Sequence, residues 1–287
     1  MQVKPAKTYQ EQVDLIKEKG FIVDDREACI TFLKQANYYR LSAYFLPFRK
    51  TDGTFVHGVH FQRVQRIYEF DNCIRILLLQ AIERIELYTR TQLAYYLGHR
   101  YGPLGYLNDA IFSDKHNVSA FRKRIDRHID ENRQTLIVKH HMEKYGGKFP
   151  IWVLIEFFSI GSLSYLYADL ISTDQKAIAK TAFSQSATCL KSWLRCLAEL
   201  RNRCAHYSRI YYSAFSSTPK MPPNTTYNNP NNHLLFPQIL MLKYLYPDKD
   251  EWRDRMLPGI ANLIISSLPD IDLNHIGFPY NWREILF

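Results

Sequence analysis

Two arginines, an asparagine and a histidine crowd into six positions of the stretch ELRNRCAHYSRIYY at residues 199–212: Arg201, Asn202, Arg203 and His206. An imidazole that titrates near neutrality can take the proton of a ribose 2′-hydroxyl, or return one to a leaving 5′-oxygen. A guanidinium can hold phosphoryl oxygens bidentately as negative charge grows on them. Asn202 between them can orient the imidazole or the phosphate. The chemistry that suits this set is RNA cleavage without a metal. One histidine supplies one proton-transfer group, so two subunits meeting along this segment would bring two histidines and two arginines to one linkage. The plainer reading is a structural one, because an arginine followed five positions later by a histidine arises often by chance.

The element that carries these residues reads as a helix from about 186 to 212. At about 100° per residue, Leu190, Trp193, Leu194, Leu197, Leu200 and Cys204 fall on one side. Arg195, Glu199, Asn202, His206 and Arg209 fall opposite, at steps of three and four. Arg201 lies about 140° from His206, beside the apolar seam. There it must pair with a carboxylate, snorkel, or face a polar cavity. Glu83 and Glu86 are the candidate partners for an ion pair; a cleft or subunit junction is the functional alternative.

The rest of the chain is helical in pattern. Two short helices are expected at 8–19 and 25–38, with Gly20 as a C-cap and Asp24 or Asp25 as N-cap. NYYRLSAYFLPFRK leads into the turn signal TDGT and an extended piece at 54–61. A long helix follows over 62–97, ended by Gly98, with Ile67, Phe70, Ile74, Leu77, Leu78, Ala81 and Ile85 as its apolar stripe. Glu86 and Arg90 form an i,i+4 pair on it. Residues 118–144 read as one charged helix with a wet face. In GGKFPIWVLIEFFSIGSLSYLYADL, Pro150 suits the first turn of a buried helix, and a buried Glu156 would need a partner. Residues 216–232, rich in Pro, Asn, Ser and Thr, read as a mobile loop. The fold class is all-α, a small N-terminal helical lobe (1–61) packed on a main helical domain (62–287).

At 287 residues the chain can bury a core without disulfides. Its net charge of +9 favours an anionic partner, nucleic acid first among them. The 20 tyrosines suit stacking on unpaired bases. Five cysteines with no CxxC pair read as reduced core residues of a cytoplasmic protein, and no zinc pattern is present. No cofactor is implied. No apolar run nears a membrane span, and the N-terminus lacks a secretory h-region.

The segment around Arg201 and His206 resembles the Arg-x(4–6)-His signature of the HEPN (higher eukaryotes and prokaryotes nucleotide-binding) ribonuclease superfamily. More specifically, the chain resembles the Abi_2 family of abortive-infection proteins. NYYRLSAYFLPFR, YEFDNCIRILLLQAIERIELYTRTQLAYYL, PIWVLIEFFSIGSLSYLYADL, LRNRCAHYSRIYY and GFPYNW occur in the expected order. The resemblance implies a HEPN-like helical bundle, a homodimer with a composite site, and metal-independent endoribonuclease chemistry in anti-phage defence or a toxin–antitoxin system. A small structured non-coding RNA as regulator is also implied. Arg201, His206 and Asn202 carry over as the catalytic set; Arg195, Arg203, Tyr207 and Arg209 are the candidates for RNA binding. The chain departs from the pattern at Tyr207, where relatives often have a second histidine, and at Tyr211 and Tyr212, where they have an asparagine. The alternative function is a helical protein that holds RNA without cutting it.

Overall fold

A computed structural model describes residues 5–229 and 232–287. Among them every regular element is helical, and extended backbone meets only in isolated pairs, Ile22 with His60, Arg49 with Phe55 and Phe112 with Leu170. The all-α class expected from the pattern is the one observed.

The N-terminal elements start where the caps dictate. Helix α1 (Tyr9–Glu18) opens on a reciprocal Thr8–Glu11 capping box and gives way to Gly20 at φ +91°. Helix α2 (Arg26–Gln35) opens on Asp25, whose carboxylate accepts from the Ala28 amide at 2.9 Å. It stops three residues short of the expected 38, because Asn37 caps the next helix, α3 (Tyr38–Ser42). A tight helical turn, Ala43–Phe48, then buries Tyr44, Phe45 and Phe48.

Helix α4 (Phe61–Tyr101) is the spine, 41 residues and roughly 60 Å long. Ile67, Phe70, Ile74, Leu78, Ala81 and Ile85 are buried along it, as the stripe requires. Gly98 does not end it. That glycine faces Trp152, where a Cβ would sit 3.3 Å from the indole, so its smallness admits a ring. The helix ends a turn later at Gly102, whose φ of +78° suits glycine.

The charged segment is two helices, α5 (Val118–Glu131) and α6 (Leu136–Tyr145), divided where Thr135 caps the second. Helix α7 (Ile151–Leu154) begins after Pro150, and α8 (Ile160–Asp169) restarts from Ser159. Glu156 falls in the turn between them and is exposed, so it needs no buried partner. Helices α9 (Ser172–Phe183) and α10 (Ala187–Ala205) follow. Beyond the motif come α11 (Leu235–Leu245), the single turn α12 (Lys249–Glu251), α13 (Leu257–Ser267) and α14 (Trp282–Leu286).

Helix α10 lies against α8, α4 and α9, while α13 and α11 cover α4 elsewhere. Its buried side is Leu190, Trp193, Leu194, Leu197, Leu200 and Cys204, as the wheel assigns. Each large apolar side chain placed there contributes about 1.5–3 kcal/mol. Trp193 is fully buried, stacks on Tyr244 at 5.4 Å between centroids and donates its indole N–H to the Lys220 carbonyl.

Two charged residues interrupt the α4 stripe. Asp71 and Arg75 are 0% and 3% exposed and pair with each other one turn apart. Asp71 also accepts from the Tyr44 hydroxyl at 2.6 Å and from the amides of Ile210 and Tyr211 at 3.0 and 2.7 Å. Burial and the adjacent carboxylate push the Tyr44 phenol far above its ordinary value. Asp71→Ala leaves the buried Arg75 guanidinium without its carboxylate, with only the Asn72 side chain to receive from it, and two amides without partners. Urea unfolding should show a loss of about 3–5 kcal/mol.

Candidate functional site

Helix α10 ends at Ala205, earlier than the periodicity implies, and the residues after it turn back. His206 is the C-cap, and Tyr207 adopts a left-handed φ of +57°. The Tyr207 amide donates to the Cys204 carbonyl at 3.2 Å and the Ser208 amide to Arg203 at 2.8 Å. Those two bonds make a Schellman closure, with tyrosine where glycine is usual. The Tyr207 carbonyl accepts from the Arg40 guanidinium, and Asp71 holds the amides of Ile210 and Tyr211. The backbone that follows His206 is therefore fixed by groups from the N-terminal segment and from α4, and the backbone before it by the helix itself.

His206 and Asn202 are both exposed on the outer ridge of α10, one turn apart, and neither side chain bonds to another described residue. Arg195 is exposed on the same ridge, at the wall of a groove. Arg201 points elsewhere. It lines a pocket of about 350 Å³ against α4, with Glu83, Glu86, Leu87 and Arg90. Glu86 is already engaged by Arg90 at 2.5 Å, and Arg90 also donates to the Phe158 carbonyl at 2.9 Å. Among the described residues no carboxylate lies within ion-pairing distance of Arg201. The candidate ion pair of Arg201 with Glu83 or Glu86 is thus not formed. Within one chain, Arg201 and His206 share no hydrogen bond, and the Arg201 pocket is not lined by His206.

The remaining candidates fold inward or turn aside. Arg203 pairs with Glu199 at 2.8 Å, donates to the Ala214 carbonyl at 2.6 Å and lies over Phe215. Arg209 is not on the helical ridge, because the helix has ended. It is partly buried, its guanidinium donates to the Ala43 carbonyl, and burial pushes its pKa below the ordinary value. Tyr207 is 65% exposed. Tyr211 is buried; its hydroxyl meets His275 Nδ1 at 2.7 Å and accepts from the Asp272 amide at 2.9 Å, and burial pushes it up to about 12. Tyr212, at φ +52°, packs edge-on against the same His275 ring.

Several supporting residues were not singled out in the sequence. Asp71 and Arg75 were discoverable, since an i,i+4 ion pair on apolar-stripe positions implies burial. Arg40 had no such signal. His128 lies 2.9 Å from the Ser162 hydroxyl and 3.5 Å from Glu131, an arrangement that would suit an acyl-transfer triad. Both His128 and Ser162 are buried, so this is a core contact. Cys29, Cys189, Cys196 and Cys204 are buried free thiols, and burial pushes Cys204 up to about 12. Cys73, expected in the core, is exposed on α4. Among the described residues no three His, Cys, Asp or Glu side chains cluster as a metal set. No helix among them is long and apolar enough to cross a membrane.

After the motif, residues 216–220 form a strap pinned across α10. The Glu199 carboxylate accepts from the Ser216 amide at 2.9 Å, the Ser216 hydroxyl at 2.7 Å and the Ser217 amide at 3.0 Å. The Lys220 amide donates to the Ser192 hydroxyl at 3.0 Å, and Gln238 donates to the Ser217 carbonyl at 2.9 Å. This part of the expected mobile loop is tied down, because its polar backbone found partners on α10 and α11. Pro230 and Asn231, also inside that expectation, lie outside the described residues.

The stretch that runs from α2 to the end of the motif segment, residues 31–212, matches the family of Abi-like proteins (Abi_2). The chain belongs to that family. The match spans more than half of the Abi-like chain and takes in α4, α10 and both Arg201 and His206. Membership suggests a part in abortive-infection defence. No curated protein and no solved structure matches the chain.

Burial works to raise the pKa of Glu199, but the hydrogen bonds from Ser216 and Ser217 and the charge of Arg203 outweigh it and hold the carboxyl below its ordinary value. A depressed folded-state pKa contributes stability that is complete above the ordinary glutamate range of about 4.3 and is lost as pH falls through the lower folded value. Acidification below about pH 4 should therefore release the strap, and limited proteolysis should cut near residues 216–220 faster there. Glu199→Gln should give that cleavage at neutral pH. For Arg201, a double-mutant cycle with Glu86 should return a coupling under about 1 kcal/mol, because Arg90 holds that carboxylate.

Proposed function

We propose that this Abi-like protein is a metal-independent endoribonuclease of the HEPN type, acting as a homodimer in abortive-infection or toxin–antitoxin defence. One observation carries the reading. Among the described residues His206 and Asn202 stand exposed and without side-chain partners at a braced helix end, while Arg201, with no carboxylate on it, faces a pocket of about 350 Å³. Unengaged cationic and proton-transferring groups on fixed backbone are what a phosphodiester site requires.

In the proposed reaction His206 takes the proton from a ribose 2′-hydroxyl, and that oxygen attacks the adjacent phosphorus. The new O2′–P bond forms as the P–O5′ bond breaks, leaving a 2′,3′-cyclic phosphate. A second proton donor must protonate the departing 5′-oxygen, and His206 of a second copy supplies it. The C-terminal end of α10 carries partial negative charge, so a phosphate beside His206 depends on guanidinium groups brought from another direction. Arg201 lies too far round its own helix for that, which again favours two copies. On the exposed side of α4, Leu87 borders the Arg201 pocket at 46% accessible, with Gln80, Glu83, Arg84 and Thr91 on the same water-facing side.

The same protein would hold RNA without turnover if His206 were idle, and the exposed Arg195 fits that reading equally well. Cleavage of single-stranded RNA in EDTA separates the two. His206→Ala should lower the rate by about 10²–10⁴-fold and Arg201→Ala by about 10²–10³-fold. His206→Ala should leave unfolding within about 0.5 kcal/mol of the parent. Product ends should carry 2′,3′-cyclic phosphate. Undiminished cutting by folded His206→Ala ends the assignment, as do 3′-hydroxyl ends.

A further inference from the structure

The strap that Glu199 holds down forms one wall of a groove of about 590 Å³, whose other walls are the first turns of α9 and α10. Lys176, Lys191, Arg195 and Lys220 line it together with six serine and threonine hydroxyls. Among the described residues no carboxylate lines it. Glu199, the nearest acid on the α10 ridge, spends its oxygens on Ser216, Ser217 and Arg203, and the Asp174 carboxylate near the start of α9 is buried on Tyr96, Tyr101 and Arg100. Among the described residues none of the four cations is within ion-pairing distance of a carboxylate, although many arginines elsewhere are. Lys191 reaches only a carbonyl, that of Ala168 at 3.2 Å. Like charges gathered in a concave, acid-free groove repel one another and focus a positive potential, which an anion relieves. The Ser216 hydroxyl is spent on Glu199 and Thr218 meets His233, but Ser172, Thr188 and Ser217 supply further donors of the kind that phosphate oxygens accept.

Position adds to composition. Arg195 and His206 share the exposed ridge of α10, eleven residues and roughly 16 Å apart. A stacked single strand advances about 3.4 Å per nucleotide, so about five nucleotides span that gap.

We propose that this groove binds contiguous phosphates, and that its ligand is the backbone of an RNA strand whose scissile linkage lies at His206. Recognition of phosphates by the groove stands by itself; the identity of the strand rests on the ribonuclease reading. Free polyphosphate, alone or on a nucleoside, offers the same chemistry.

The test uses the full-length protein, a labelled 2′-O-methyl oligoribonucleotide that cannot be cut, and inorganic triphosphate, with binding followed by anisotropy and calorimetry. The variant Lys176→Gln/Lys191→Gln/Arg195→Gln should bind the oligonucleotide at least about tenfold more weakly. The slope of log affinity against log salt should flatten by about 2, since each neutralised contact removes about 0.7 for a single strand. If the triple variant fails to fold, Lys191→Glu alone should show the same trend. Triphosphate binding that the variant loses, with oligonucleotide binding untouched, keeps the phosphate site and assigns it to a free polyphosphate. A folded variant that binds both probes as the parent does overturns the groove, and if it still cuts RNA through His206, the ribonuclease reading survives. Loss of binding by the variant in a protein whose parent never cuts RNA leaves the groove standing and removes the ribonuclease.

Discussion

A carboxylate with no solvent contact survives in a helical core only when its charge and lone pairs are met by the protein, and Asp71 meets that condition in a way that organises the molecule. Its partners come from three separate parts of the chain: Tyr44 in the N-terminal segment, Arg75 one turn along the spine, and the Ile210 and Tyr211 amides just beyond the motif helix. Because each would be left unsatisfied if another element shifted, the N-terminal turn, α4 and the chain leaving α10 are locked in one register. His206 stands four residues before the first of those amides. Its placement is a consequence of that lock as much as of the helix it terminates.

The short, strained exit from α10 follows from the same constraint. A helix continued to residue 212 would carry Ile210 and Tyr211 past Asp71, whereas the left-handed step at Tyr207 turns the backbone so that both amides face it. A non-glycine residue in that conformation costs about 1–2 kcal/mol, offset by the Schellman bonds and by Arg40 on the Tyr207 carbonyl. The turn also sorts the basic residues. Arg203 and Arg209 fold against the protein and serve its architecture, while Arg195, Asn202 and His206 remain on the water-facing ridge. Net positive charge is thus not spread evenly: around α10 it is spent on structure at one end and left unneutralised in the groove at the other.

The helical class, the buried side of α10 and the stripe of α4 were legible from periodicity, because an apolar residue every three or four positions has one stable way to leave water. Helix ends were less legible. Gly98 looked like a stop but made room for Trp152, and the segment 118–144 hid a break that Thr135 caps. Glu156 looked buried among apolar neighbours, but a short turn rather than a helix carries it, and that turn points it outward.

The amino-acid sequence by itself determined the all-α architecture, the family, and the presence of a histidine, an asparagine and arginines within one helical segment, since those depend on residue type and local spacing. It could not decide which arginines are free. Whether a guanidinium pairs, caps or stays open depends on carboxylates and carbonyls that arrive from distant parts of the chain: Arg90 taking Glu86 away from Arg201, Ala43 claiming Arg209, Glu199 holding Arg203 and the strap. Only the tertiary structure settles that competition, because an ion pair or hydrogen bond is made or lost over a few ångströms and no spacing along the chain encodes them.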